Sequence, residues 1–231
     1  LKPVDDIPFF LNAYGSTGGR FELNTHINQK VSDKWSSTLF VHGNTRVAKN
    51  DMNDDGFLDN PLAKQINVMN RWQYNDAEKG WVSFLNARYM RDEKQTGEVD
   101  FDPDRDKLTT NYWGSEIVTD KLDLSGKLGY VFPNMPFQSI GLQAAYNWHK
   151  QDSYFGLNQY DIDQKSFYSN LIFSSIISNT LNKFSTGLNF TYDNYDEFVN
   201  TNDVGRIDNS VGAFFEYTYD NSYDFSAILG G

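Results

Sequence analysis

Lys121-Leu122-Asp123-Leu124-Ser125-Gly126-Lys127-Leu128-Gly129-Tyr130-Val131-Phe132 sets Leu122, Leu124, Leu128, Tyr130 and Phe132 on one side of an extended chain and Lys121, Asp123, Ser125 and Lys127 on the other. Successive side chains of a strand point to opposite faces, so this order predicts a ribbon with one greasy and one polar side.

The same division recurs along the chain. Residues 20–30 oppose Phe21, Leu23, Thr25 and Ile27 to Arg20, Glu22, Asn24, His26 and Asn28, and residues 65–74 oppose Ile66, Val68, Trp72 and Tyr74 to Gln65, Asn67, Arg71 and Gln73. Residues 139–149 place Ile140, Leu142, Ala144, Tyr146 and Trp148 against Gln143, Asn147 and His149. Residues 184–193 and 211–219 repeat the pattern with Phe184, Leu188, Phe190 and Tyr192, then Val211, Ala213, Phe215, Tyr217 and Tyr219. Residues 35–45 and 81–90 alternate less cleanly, and residues 167–178 are apolar on both sides, which leaves their orientation open. With an opening strand at 9–15 and a closing one at 223–230, about 11 strands are expected.

Strand length separates a soluble sandwich from a membrane barrel. Soluble strands cluster near 5 to 6 residues. These runs reach about 10 to 14, enough for a tilted strand, which needs about 9 to 11 residues to cross a bilayer. The expected class is all-β, a transmembrane antiparallel β-barrel, with residues 1–231 forming part of one barrel domain. Single-chain bacterial barrels have even strand numbers, and an open sheet of about 11 strands would leave two edges unpaired in lipid. The chain therefore reads as roughly half of a larger barrel of about 22 strands.

Composition agrees. A net charge of −11 argues against nucleic acid, and the absence of cysteine removes disulfides, thiolate metal sites and cysteine nucleophiles. Mean hydropathy is −0.60, and no run approaches the roughly 18 apolar residues of a spanning helix. A barrel strand shows only alternate residues to lipid, so low average hydropathy is compatible with a membrane. The chain starts at Leu1, without initiator methionine or signal peptide, and so reads as a processed product or a fragment.

Connections are expected to alternate in kind. Short turns are predicted at 31–34, 76–80, 133–136, 180–183 and 220–222, and long polar loops at 46–63, 94–115, 152–165 and 198–207. Short turns at one end and long loops at the other is the asymmetry of outer-membrane barrels. Trp35, Trp81, Phe137 and Phe184 follow short turns while Tyr74, Phe132 and Tyr219 precede them, as in an interfacial girdle.

The chemistry lies in the loops. Asp51, Asn53, Asp55 and Asp59 occupy positions 1, 3, 5 and 9 of a calcium-loop pattern, Gly56 supplies its sharp turn, and Leu62 stands where a bidentate glutamate would complete it. A second segment must then contribute, and the next loop carries Glu98, Asp100, Asp102, Asp104 and Asp106; Ca2+ is the expected ion, with Asp100, Asp102 and Asp106 as further ligands. Tyr154, Phe155 and Tyr160 are candidates to stack on a flat solute. His26, His42 and His149 sit on polar faces with no Ser-x-x-x-His or Asp-His constellation, so no catalytic residue is assigned. Arg71, Arg88, Lys121, Asp123 and Lys127 face the same inferred lumen.

On these residues the chain resembles the front half of the barrel of a TonB-dependent outer-membrane transporter, most closely the cobalamin (vitamin B12) transporters. Asn53-Asp54-Asp55-Gly56-Phe57-Leu58 is similar to the Asp-Asn-Asp-Gly-Phe-Leu of the calcium-ordered loop in that family. The likeness extends to Ala13-Tyr14-Gly15-Ser16, to the Trp-bearing strands and to residues 154–160. The stretches 57–62 and 96–103 further resemble members from Bacteroidetes. The resemblance implies import of a large scarce solute, first of all a corrinoid, with Asn53 and Asp55 matching the motif directly and Asp51, Asp100 and Asp106 by position. It also implies membrane lipids around the barrel, a plug domain and further strands, TonB acting through the plug, and a surface-exposed lipoprotein as a partner. Siderophores, haem and glycans are alternative cargoes, and a non-transporting scaffold for the lipoprotein is an alternative role. No TonB box or plug precedes the strands, and Ile228-Leu229-Gly230-Gly231 lacks the terminal aromatic strand of a complete barrel, so the plug and the other strands are expected outside this segment.

Overall fold

The structure, a computed structural model, describes residues 7–221 and 224–231. The strands are β1 (Phe9–Gly15), β2 (Arg20–Lys30), β3 (Trp35–Arg46), β4 (Leu62–Asp76), β5 (Trp81–Gly97), β6 (Gly114–Val131), β7 (Ser139–Phe155), β8 (Asn158–Ile177), β9 (Asn179–Val199), β10 (Asn202–Asp203), β11 (Arg206–Asp220) and β12 (Ser226–Gly230). One helical turn, α1 (Pro103–Asp106), interrupts them. All the strands form one antiparallel sheet in chain order, except that the two-residue β10 pairs only with the end of β9. The predicted closing strand begins at Tyr223, and it and the turn residue Ser222 lie outside the described residues; β12 supplies the rest of that strand.

Registration stacks like on like. Leu124 lies opposite Ala87 and Tyr146, and Leu128 opposite Leu142. Leu142 in turn meets Leu171, which meets Leu188, which meets Ala213. Pairing thus orients the segment that was ambiguous in sequence: Phe167 joins the apolar face beside Tyr146, and Tyr168 joins the polar face beside Ala145. A one-residue slip would exchange the two faces, so the apolar pattern pins the register.

No second layer covers the apolar face. Among the described residues each strand packs only on its ladder neighbours, α1 touches β6, and Val211 is 78% exposed. A soluble sandwich would bury these side chains in a core; here no element of the described residues covers them. From Leu122 to Tyr130 the apolar band runs about 27 Å along β6, or roughly 21 Å of height at a barrel tilt near 40°, close to the apolar band of about 25 Å in outer-membrane barrels. Above the band the same face turns charged in one cross-strand row, Arg91, Asp120, Lys150, Asp163 and Asp196. Arg91 bonds Asp120 at 2.9 Å there.

At the opposite end aromatic pairs line the margin. Trp35 packs on Tyr74 at 4.9 Å, Trp81 on Tyr130 at 4.7 Å and Tyr130 on Phe132 at 4.9 Å between ring centroids. The adjoining turns are short, and Lys34 of one reaches the buried Asp76 at the foot of the next at 2.6 Å.

The other end corrects the expected loops. The predicted loop at 152–165 is mostly a β7–β8 hairpin turning at Gly156 and Leu157, and that at 198–207 is taken up largely by β9, β10 and β11. The predicted turn at 180–183 sits instead at Ser178, φ 67°, beside a bulge at Ile176 and Ile177. Once a strand rises above the membrane both of its faces meet water, so apolar alternation fades while the backbone ladder continues. Two long connections persist, residues 47–61 and 98–113.

Candidate functional site

Those two connections fold into a cap. Phe57 forms a β-bridge with Glu98, the Leu58 amide donates to the Gly97 carbonyl at 2.9 Å, and the Val99 amide donates to the Gly56 carbonyl at 2.9 Å. Lys49 Nζ donates to the Val99 carbonyl at 2.5 Å. The convergence expected from the topology is therefore present.

The cap holds what little apolar core the described residues have. Their buried hydrophobic side chains are Leu58 and Phe101, one from each long connection, and Tyr154 from the outer end of β7. The Phe101 ring lies 6.4 Å from that of Tyr154 and rests on Gly114, where a Cβ would collide with it. Glycine at the start of β6 is thus the condition for this close approach. Gly156 at the hairpin tip donates its amide to the Gly114 carbonyl at 2.8 Å, which ties the hairpin to the cap.

Within the first loop the polar groups bond to one another. Asp51 accepts from the Gly56 amide at 2.9 Å, Asp55 from the Phe57 amide at 2.8 Å and from Asn53 Nδ2 at 2.9 Å, and Asp59 from the Met52 amide at 2.9 Å. Gly56 takes φ 82°, as the sequence pattern requires. Ion pairs in the neighbourhood fall on Lys94 with Asp92 and Arg105 with Asp106, so Asp51, Asp55 and Asp59 keep carboxylate lone pairs that no cationic side chain among the described residues neutralises. In donor chemistry this loop fits a hard cation.

The second loop fits less well. Both Asp106 oxygens accept from Arg105, at 2.9 and 2.7 Å, and one also accepts from the Asp102 amide at 3.0 Å. The Arg105 guanidinium holds the Asp106 carboxyl at about 2, below the usual 3.8. Asp102 caps α1, accepting from the Asp104 amide at 3.0 Å. Asp106 thus forms with Arg105 an ion pair that closes the loop. Among the described residues no three His, Cys, Asp or Glu side chains stand together as a group that could hold a metal ion.

The aromatic candidates divide. Tyr154 is only 2% exposed, with Lys107 Nζ 4.9 Å from its ring centre, so its faces are taken by the cap itself. Tyr160 donates its hydroxyl to Glu197 at 3.0 Å. Phe155 is 42% exposed at the hairpin tip, beside Leu157. Trp113, missed in the sequence reading, is 46% exposed, 6.3 Å from Phe57 and in contact with Gly156. Its only sequence signal was an aromatic residue directly before the Gly114 that opens β6.

Elsewhere the histidines serve the polar face. His26 stacks on Phe10 at 5.4 Å, and His42 bonds Asn24 at 2.6 Å and Gln65 at 3.0 Å. His149 stands in register with Lys121.

No protein-family model matches the sequence, and no curated protein does. Among solved structures the chain is similar to the alcaligin outer membrane receptor FauA from Bordetella pertussis, with a TM-score of 0.65 and 10% identity over 91% of this chain and 34% of that one. It is similar also to the copper transporter OprC, with a TM-score of 0.55 and 12% identity over 91% of this chain and 36% of that one. The chain spans about a third of the length of each. Uncovered apolar face, chain-order antiparallel sheet and likeness to these two proteins agree: the chain is a stretch of transmembrane β-barrel wall bearing a docked outer cap.

Proposed function

We propose that the whole protein is a TonB-dependent transporter of the outer membrane that imports a large scarce solute, a corrinoid of the cobalamin type. The observation that carries the reading is the cap. A passive pore needs an open mouth, whereas here Leu58, Phe101 and Tyr154 hold the loops together and leave Phe57 and Trp113 exposed beside one another, with Phe155 exposed next to the Gly156 that Trp113 meets. Exposed aromatic faces on a fixed support suit capture of a flat, partly apolar solute. The likeness to a receptor for alcaligin and to a copper transporter supports import by a barrel of this kind, and the likeness of residues 53–58 to the cobalamin-transporter loop supports the cargo.

In this reading Asp51, Asn53, Asp55 and Asp59, with Asp100 from the second loop, hold a Ca2+ ion whose charge offsets their mutual repulsion and stiffens the cap. The polar face of the sheet receives a plug domain through which TonB delivers energy. Further strands close the edges at β1 and β12, since open edges are costly in lipid. A surface lipoprotein of the type found in Bacteroidetes covers the cap. A chelate cargo such as a siderophore is the second reading, favoured by the likeness to the alcaligin receptor.

Uptake of labelled cobalamin by cells lacking their own importer and carrying the whole protein tests the proposal. TonB-dependent uptake, reduced when Trp113 and Phe155 are both changed to alanine, is expected. Uptake of a ferric siderophore but not cobalamin would transfer the cargo to the second reading, and uptake of neither would overturn import.

A further inference from the structure

Above the apolar band the outer ends of β6, β7 and β8 carry polar groups on the outward side of the sheet. Glu116 stands opposite Tyr154 and Tyr154 opposite Gln159; one row lower, Val118 stands opposite Asp152 and Asp152 opposite Asp161. Direct partners in a ladder share a face, and residues two apart on one strand do too, so all of these lie on the same side as Leu122 and Leu124. With Lys107 from the second long connection they line a cavity of about 280 Å³. Two residues advance about 6.8 Å along a strand, so at a tilt near 40° these rows stand about 5 and about 10 Å above the charged row of Asp120, Lys150 and Asp163. The cavity therefore sits outside the wall, just above the lipid and on the opposite side of the sheet from the polar face that receives the plug.

One buried group there lacks a partner. Tyr154 is 2% exposed, yet its hydroxyl makes no hydrogen bond among the described residues. Burial, and after it the negative charge of Glu116, push the hydroxyl's pKa up, so it keeps its proton and remains a donor. An unmade hydrogen bond in a buried site is costly, and a ligand that accepts from the hydroxyl would relieve it. The surrounding groups are held in place: Asp161 accepts from the Ser153 amide at 3.1 Å and from Gln159 Nε2 at 2.5 Å, and Lys150 pairs with Asp152 at 3.1 Å. Each carboxylate oxygen can accept a further bond, the Gln159 carbonyl is another acceptor, and Lys107 brings an ammonium donor. Among the described residues the carboxylates do not converge as a metal site would. Acceptors and donors spread around a small space suit a compact ring whose own hydroxyls both donate and accept. The volume lies just below the roughly 300 Å³ at which drug-sized sites begin, which leaves room for one such ring and not for a large cargo.

We propose that this cavity binds a single sugar ring, with Glu116, Asp161 and Gln159 accepting from its hydroxyls and Lys107 and Tyr154 donating to its oxygens. The height of the site suits a sugar carried by a glycolipid of the outer leaflet, and a free saccharide would present the same groups. The site does not depend on import.

The test uses the whole protein in phosphatidylethanolamine nanodiscs, with amide exchange at residues 104–118 and 152–161 as the readout. Two probes are compared: lipopolysaccharide built into the disc, and the dephosphorylated core oligosaccharide released from it. Slower exchange with both is expected, the lipid-linked probe acting at the lower concentration. The oligosaccharide concentration required should rise about tenfold in Glu116→Gln/Asp161→Asn and about fivefold in Tyr154→Phe. Tyr154→Phe should keep its resistance to denaturant, because the hydroxyl it removes bonds to nothing, so weaker binding in a wall of unchanged stability is a result that packing alone would not give. Equal action of the two probes would assign the sugar to solution and keep the site. No slowing by either probe, slowing by lipopolysaccharide alone, or binding unaltered in Glu116→Gln/Asp161→Asn would overturn the proposal.

Discussion

Replacing Phe101 by alanine should unlock the outer cap and leave the barrel wall intact. The ring is 2% exposed and packs on Gly114 and Tyr154, so truncation empties the middle of the small core shared with Leu58. A buried phenylalanine removes about 200 Å² from water, worth about 5 kcal/mol at 25 cal/mol per Å². Measured truncations cost about 3 to 5 kcal/mol, and a surface cap relaxes easily, so about 3 kcal/mol is expected. At about 1.4 kcal/mol per tenfold, cap amides should exchange with solvent roughly a hundredfold faster. The reporters are the amides of Leu58, Glu98, Val99 and Gly156, each donating across the cap at 2.8 to 2.9 Å. Amides of β6 and β7 within the apolar band serve as the control, since their ladder does not depend on Phe101. Unchanged exchange at the four reporters, or equal acceleration throughout the wall, would refute the view that this aromatic core locks the cap.

The two faces of β7 should respond oppositely to a charge. Leu142→Arg, on the lipid face, should destabilise the folded barrel by about 2 to 4 kcal/mol, and Gln143→Arg, on the polar face, by less than about 1 kcal/mol, read from denaturant unfolding in bilayers. Comparable losses would remove the assignment of faces. The Asp106 carboxyl, depressed to about 2 from 3.8, stabilises the loop fully above about pH 4, and that contribution is lost as pH falls through its folded value. Pepsin cleavage within residues 98–113 should accordingly rise between about pH 4 and pH 2, and Asp106→Asn should cleave readily on both sides of that window. Calcium should slow exchange of residues 47–61, and Asp51→Asn/Asp55→Asn should raise the concentration needed at least about tenfold, whereas Asp106→Asn should leave it nearly unchanged. Protection indifferent to the first pair would remove Ca2+ from that loop.

Strands crossing the bilayer were legible because lipid on one side and water on the other write period two into the chain. β1 and β2 run over the residues expected for them, 9–15 and 20–30. Where both faces meet water the code disappears. The outer reaches of β7 and β8, including Asp152, Asp161 and Gln164, read as loop although their backbones pair residue by residue up to Phe155 and Asn158. Alternation likewise failed to orient residues 167–178, apolar on both sides, until Leu142 and Leu188 supplied partners.

The cap shows the same division between local and long-range information. The turn at Gly56 and the spacing of Asp51, Asn53 and Asp55 are properties of a few adjacent residues, and they were visible as such. The pairing of Asp106 with Arg105 is a contact between adjacent residues that the acidic spacing alone did not single out, whereas whether Tyr154 offers its ring outward or buries it under Phe101 depends on a contact between segments far apart in the chain. Sequence alone determined which side is greasy in those strands whose two faces differ, because solvent acts on every residue singly. Tertiary structure decided which outer side chains are free to meet a solute, because burial is shared among residues that meet only once the loops have closed.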